Sequence, residues 1–259
     1  MAANETDSRV TALLELHEIG KRFGGVEAVA GLTFTVGEGE IVGLIGPNGA
    51  GKSTAFDLIN GVRLPDRGRV VFRGEDITGM MPCDVVRRGL ARTHQIVQPL
   101  ATMSVLENCM VGACFGREDL SLQAGETVAR EVADLVGLRD RLAEPASQLT
   151  IAGKKRLELA RALCARPSLL LLDEVLAGLN PTEVQRMIEV VRTLRDCGIS
   201  ILMIEHLMQA IMGLSDRIVV LSSGRKLAEG PPAVVAANPA VIEAYLGDAS
   251  LAGVAHRRA

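Results

Sequence analysis

The stretch Gly46-Pro47-Asn48-Gly49-Ala50-Gly51-Lys52-Ser53-Thr54 has the G-x-x-x-x-G-K-[ST] spacing of a phosphate-binding loop, and it follows the apolar run Ile41-Val42-Gly43-Leu44-Ile45. Gly46, Gly49 and Gly51 let the backbone curl so that successive N–H groups face phosphate oxygens, and a helix starting near Lys52 adds its positive dipole end. Lys52 is expected on the β- and γ-phosphates and the Ser53 hydroxyl on Mg²⁺. Two more polar clusters close apolar runs: Asp173-Glu174 after Leu169-Leu170-Leu171-Leu172, and Glu205-His206 after Ile199-Ser200-Ile201-Leu202-Met203-Ile204. In a phosphate site Asp173 would hold Mg²⁺ through water, Glu174 would polarise an attacking water as general base, and the His206 imidazole would donate to the γ-phosphate. Away from such a site these are surface carboxylates and a capping histidine, so the reading depends on the phosphate loop.

Positioning such groups requires strands whose carboxyl ends meet. The three apolar runs read as parallel strands buried on both faces, and ligands in such sheets collect at the strands' carboxyl ends. The loop's helix is expected from about Gly51 to Asn60, with Gly61 beyond its end. Leu13–Ile19 and Leu32–Val36 have strand character, with Lys21 to Val29 between them. Phe23 lies there beside Gly24-Gly25, among only five Phe and one Tyr in the chain; stacking on a flat base and burial in the core are even alternatives. Pro82 to Arg92 reads as helix, leading to Gln95, which is unremarkable by itself. From about Val97 to Ser147 helical spacing replaces alternation: Ser104-Val105-Leu106-Glu107 is a capping box, Val128, Val132, Leu135 and Val136 mark one face, and Gly112, Gly116 and Gly125 read as breaks. Thr150 caps the helix that stops before Pro167; its hydroxyl and the backbone of Ala152 and Gly153 could also bind a phosphate presented by another subunit. Asn180-Pro181-Thr182-Glu183 opens a further helix, and Ile218–Leu221 with Lys226–Glu229 makes a last strand pair turning at Ser223-Gly224.

The chain's 259 residues, 48% of them hydrophobic, can bury one large α/β core or two small ones. No apolar stretch is long enough to span a membrane, and the polar start lacks the order of a signal peptide, so a cytosolic location is expected, with membrane association only through a partner. Cys83, Cys109, Cys114, Cys164 and Cys197 form no C-x-x-C pair and read as buried small hydrophobes. A net charge of −3 gives no electrostatic case for nucleic acid.

With phosphate loop, mid-chain glutamine, helix-start hydroxyl, apolar-Asp-Glu strand and late histidine in that order, residues 12 to 247 resemble the ATP-binding cassette (ABC) ATPases. Phe23-Gly24-Gly25, Arg92-Thr93-x-Gln95, Arg156 to Leu163, Ala177-Gly178-Leu179-Asn180-Pro181 and Ile204-Glu205-His206 are similar to the cassettes of branched-chain amino-acid type importers. The resemblance implies an α/β P-loop fold over 12–248: a mostly parallel core sheet, an N-terminal antiparallel part, and a helical subdomain inserted at about 97–165. Residues 1–11 and 249–259 are expected to be a disordered start and a flexible tail.

The resemblance also implies roles. ATP would lie on Phe23, Ala28, Asn48, Gly49, Ala50, Gly51, Lys52, Ser53 and Thr54, with Ser53, Gln95 and Asp173 around Mg²⁺. Glu174, His206, Gln95 and Lys52 would carry hydrolysis. Thr150, Ala152 and Gly153 would touch the nucleotide of a second cassette packed head to tail, as a homodimer or with a related cassette. Membrane permease subunits would dock on the helical subdomain. The usual L-S-G-G-Q signature is here Leu149-Thr150-Ile151-Ala152-Gly153, which keeps the hydroxyl but has Ala152 for a glycine and Gly153 for the glutamine; His94 and Val175 replace the usual Phe and Pro. The function implied is an ATP-hydrolysing importer subunit for amino acids or a similar small polar solute. An exporter or lipid-extraction cassette, or a soluble non-transport ATPase, is the alternative.

Overall fold

The structure, a computed structural model, describes residues 12–94 and 98–246. The first part contains β1 (Ala12–Phe23), β2 (Val26–Gly37), β3 (Ile41–Ile45), α1 (Lys52–Ile59), β4 (Arg67–Phe72), β5 (Glu75–Asp76), α2 (Pro82–Arg87) and β6 (Leu90–Arg92). Three helices follow, α3 (Val105–Phe115), α4 (Leu122–Leu135) and α5 (Ile151–Cys164). The chain then alternates β7 (Leu169–Asp173), α6 (Pro181–Asp196), β8 (Ser200–Ile204), α7 (Met208–Leu214) and β9 (Arg217–Ser222), and closes with β10 (Arg225–Gly230), α8 (Pro232–Ala236) and α9 (Pro239–Leu246).

A six-stranded sheet has the order β10-β9-β3-β8-β7-β6. Its pairs β9–β3, β3–β8, β8–β7 and β7–β6 are parallel, and only β9–β10 is antiparallel. Every residue of β3, β7 and β8 is buried, which explains why their sequences run apolar without alternating. Successive residues nevertheless face two separate cores. Ile41, Ile45, Leu170, Leu172, Ile201 and Met203 point to the helical side. Val42, Leu44, Leu169, Leu171, Leu202 and Ile204 point to α1 and a second, antiparallel sheet of order β2-β1-β4-β5.

That second sheet departs from the expected lengths. Lys21 to Val29 is not a connection: β1 and β2 continue through it and turn at Gly24-Gly25, with Phe23 paired to Val26 and Arg22 to Glu27. The polar, exposed ends of both strands hide them from a pattern search. The helix expected over Pro82 to Arg92 ends at Arg87, and Leu90–Arg92 is a parallel strand beside β7.

The helices α3, α4 and α5 pack against one another. The Ser104–Glu107 capping box forms as expected. Gly112 and Gly125, however, are not breaks, since both lie inside helices. A Cβ on Gly112 would stand 2.1 Å from the Arg161 carbonyl oxygen, and one on Gly125 2.8 Å from Cys114 Sγ, so both are close-approach points. Gly116 does end α3. On α4 the expected apolar face holds for Val128, Val132 and Val136, whereas Leu135 is exposed. The cysteines split: Cys109 and Cys164 are buried, Cys114 is half-buried, and Cys83 and Cys197 are exposed.

Candidate active site

The phosphate loop connects β3 to α1. Gly51 has φ +101, and a Cβ there would lie 2.3 Å from the Ala28 carbonyl oxygen, so only glycine fits where the loop presses on β2. This puts Ala28 beside the loop. Lys52 is 7% exposed, and its Nζ donates to the carbonyls of Gly46 (2.7 Å) and Pro47 (3.1 Å), arching over the loop it follows. Asn48, Gly49 and Ser53 are exposed, and Thr54 is half-buried.

Strands β8 and β7 are the next two in the sheet, so the groups at their carboxyl ends share the loop's edge. Asp173 ends β7 and is 2% exposed. Its Oδ2 accepts from Arg92 Nη2 at 2.8 Å, while Oδ1 is buried without a protein hydrogen-bond partner. A buried, unpaired carboxylate oxygen suits a divalent cation or its water. Burial lifts the Asp173 carboxyl above its ordinary value, with Arg92 pulling the other way. Among the described residues no three His, Cys, Asp or Glu side chains converge to hold a metal, so a cation here would depend on phosphate oxygens and water.

Glu174 follows directly, in the left-handed region at φ +50. Its Oε1 lies 2.8 Å from His206 Nε2, and its side chain is 14% exposed against 47% for the histidine. A carboxylate paired to an imidazole at the open edge of a phosphate site can take a proton from water and be oriented while doing so.

Phe23 is not in the core. It is 39% exposed at the end of β1, with the Arg63 guanidinium 5.0 Å from its ring centre. Thr150, Ala152 and Gly153 belong to a different element, the start of α5. Thr150 is the N-cap, and its Oγ1 accepts from Gly153 N at 3.1 Å. That N–H is therefore engaged by the cap, and Ile151, 67% exposed, heads the helix. Gln95 lies outside the described residues.

Sequence reasoning gave no role to four charged side chains around this edge. Arg92 joins Asp173 to Asp57 of α1 (2.7 Å) and rests over the Phe56 ring. Glu158 of α5 accepts from His94 N at 2.7 Å, fastening α5 to the segment that precedes Gln95; burial raises its pKa. Lys155 of α5 donates to the Glu174 carbonyl (2.6 Å), and Glu205 accepts from Leu176 N (2.9 Å). Burial pushes Glu205 up to about 7 and lowers Lys155. The only available signal was an ionic residue within or beside an apolar pattern; their partners are distant in sequence.

The ABC transporter family model matches residues 29–177, and the branched-chain amino acid ATP-binding cassette transporter model matches residues 225–250. The high-affinity branched-chain amino acid transport ATP-binding protein LivG of Salmonella typhimurium is 38% identical over 253 residues, spanning 92% of this chain and 98% of its own. BraF of Pseudomonas aeruginosa, of the same description, is 37% identical over 252 residues, spanning 92% and 98%. Among solved structures, a nucleotide-free ATP-binding cassette from an ABC transporter aligns with TM-score 0.82 at 30% identity, over 90% of this chain and 98% of its own. Another such cassette, in its ADP conformation, aligns with TM-score 0.81 at 31% identity, over 91% and 99%.

Proposed function

The chain belongs to the ABC transporter family as an ATP-hydrolysing cassette, and from that premise we propose that it powers uptake of branched-chain amino acids through separate membrane permease subunits. The solute is carried over from the names of LivG and BraF, which are similar along nearly their whole length. Both relatives are named for amino acid transport, so the export, lipid-extraction and non-transport alternatives are not favoured.

The observation that carries the catalytic reading is the convergence of Lys52, Asp173 and the Glu174–His206 pair at the carboxyl ends of neighbouring strands. ATP is held with its phosphates in the Gly46–Thr54 loop, Lys52 turning from the loop carbonyls to the β- and γ-phosphates. Phe23 stacks on the base beside Ala28. Ser53, Gln95 and Asp173 Oδ1 are the groups that would hold Mg²⁺, which when bound neutralises charge on the transferred phosphoryl group. Glu174 accepts the proton of the attacking water. His206 orients that carboxylate and donates toward the γ-phosphate.

The two halves of the sandwich come from two cassettes, each supplying Thr150, Ala152 and Gly153 to the other's nucleotide. Among the described residues no helix is long and apolar enough to cross a membrane. The cassette would sit on the cytoplasmic face, attached through its permease. A groove of ≈ 310 Å³ between α2–β6 and α3–α5, with Val86, Val111 and the 67%-exposed Phe115 on its walls, suits an apolar segment of that permease. Here the helical unit over about 97–165 acts as the moving part between permease and nucleotide.

Replacing Glu174 with Gln tests the chemistry: ATP binding should persist and steady-state hydrolysis fall by at least about 10²-fold. Parental turnover in this variant would remove Glu174 as the base. Reconstitution with the permease that copurifies with this chain and radiolabelled leucine tests the solute, and lack of ATP-dependent accumulation would refute it.

A further inference from the structure

The residue that takes the proton is held in an unfavourable backbone conformation. Glu174 has φ +50, a region that non-glycine residues rarely adopt and that persists only where surrounding contacts over-determine it. Several hydrogen bonds hold its backbone and the turn that follows. Its own N–H donates to the Ile204 carbonyl at 2.9 Å, extending the β7–β8 pairing by one residue. Its carbonyl accepts from Lys155 Nζ at 2.6 Å and from the Ala177 N–H at 3.2 Å. Two residues on, the Leu176 N–H donates to Glu205 Oε1 at 2.9 Å. The bonds with Ile204 and Ala177 are backbone to backbone and would form for many sequences. The other two come from buried ionic side chains, Lys155 at 8% and Glu205 at 4% exposure, which are seldom kept in a protein interior without specific partners.

We propose that Lys155 and Glu205 are positioning residues for Glu174: Lys155 grips the carbonyl on one side of the strained residue, Glu205 grips the turn on the other, and together they aim the carboxylate at the attacking water. The inference rests on the reading of Glu174 as the base. Neither side chain touches the substrate, since both act through the peptide groups that flank the base. The two clamps also come from different directions. Glu205 stands at the end of β8, adjacent in the chain to His206. Lys155 stands on α5, about one turn beyond Thr150. The helix whose start would meet the partner's nucleotide is thus joined to the base of its own subunit, and displacing α5 pulls directly on the Glu174 carbonyl.

The experiment uses the full-length chain assembled with its permease. Hydrolysis, ATP affinity, ATP-driven dimer formation and thermal unfolding are measured for Lys155→Met, Glu205→Leu, Glu205→Gln and Glu174→Gln. Losing either clamp should lower kcat at least about tenfold while ATP affinity and dimer formation stay within about twofold, because misplacement of a catalytic group acts on the chemical step. Glu205→Gln keeps an oxygen to accept from Leu176 and should retain most of the parental kcat. In a Glu174→Gln background, Lys155→Met should leave the residual rate unchanged, since a group acting only through the base has nothing left to act on. A merely structural role would instead multiply the two losses and lower dimer formation as well. If Lys155→Met does not fold, Lys155→Gln, one bond shorter but still a donor, should fold with kcat reduced several-fold. Parental kcat in the folded clamp variants, or multiplicative losses in the Glu174→Gln background, would overturn the proposal. Parental turnover in Glu174→Gln alone would instead show that the base reading had failed.

Discussion

Arg92 donates through Nη2 to Asp173 Oδ2 at 2.8 Å, with 9% and 2% of the two side chains exposed, and its second arm reaches Asp57 Oδ1 at 2.7 Å. One guanidinium thus ties the edge strand β6 to the helix of the phosphate loop and to the carboxylate that ends β7. The bridge leaves Asp173 Oδ1, the oxygen turned away from Arg92, as the one without a protein partner.

Arg92→Met should destabilise the fold by about 3 kcal/mol, because the buried Asp173 carboxylate loses its Arg92 partner while its desolvation remains. Arg92→Lys should recover part of that, since an ammonium cannot reach both carboxylates with a fixed fork. Urea unfolding at neutral pH measures both. A loss below about 0.5 kcal/mol for Arg92→Met, the size of an ordinary surface change, would show that the bridge does not hold the site together.

Glu205 makes part of the stability pH-dependent. Its folded pKa of about 7 lies above the ordinary 4.5, chiefly through burial, with Lys155 opposing and Glu174 reinforcing the rise. Between those two values the folded chain holds a proton that the unfolded chain has released. Stability from this group is therefore complete below about pH 4.5, falls as pH rises, and stops falling above about pH 7. Glu205→Gln cannot titrate, so it should gain on the parent from pH 5 to about pH 7 and level off by pH 8. A parent-minus-variant difference that is flat across this range would refute the assignment.

Thr150→Ala removes the cap on α5 and should cost about 1 kcal/mol of stability. If the same helix start meets the partner's nucleotide, hydrolysis by the assembled cassettes should fall beyond what lost folding explains, and Thr150→Ser should restore both. Equal ATPase activity per folded molecule in the alanine variant would confine Thr150 to capping.

Two glycines inside helices should respond in opposite directions. At Gly112 a methyl group would press on the Arg161 carbonyl, so Gly112→Ala should force α3 from α5 and cost about 1–3 kcal/mol. At Gly213 in α7 an added Cβ meets no atom within 4 Å, and Gly213→Ala should stabilise by about 0.5 kcal/mol through a less flexible unfolded chain. Midpoints of urea unfolding compare them, and a shift of the same sign in both would contradict the packing described.

What could be read from the sequence was local or periodic. Asp173, Glu174 and His206 follow largely apolar runs, and Lys52 closes a glycine loop behind another; burial of a parallel strand on both faces makes such ends recognisable. Ser104, Thr150 and Asn180 cap their helices through bonds spanning three residues, so their spacing is the interaction itself. The clamps were not legible because their partners lie far away in the chain: Arg92 meets Asp173 across 81 residues and Glu205 meets Leu176 across 29. Gly112 and Gly125 were misread because a missing side chain serves a helix break and a close helix crossing equally. For Phe23, evenly divided between core and ligand roles, exposure at the hairpin turn excludes the core, which no window of neighbouring residues could convey.

The six-stranded sheet divides the molecule like a bulkhead. Because successive residues of β3, β7 and β8 face opposite cores, the side holding α1 and the antiparallel sheet shares its strands with the helical side but not its packing. Thermal softening or a cavity among α3, α4 and α5 can therefore leave the compartment beneath the phosphate loop watertight. Hydrogen exchange should reveal two thresholds of protection, with the loop's side opening last.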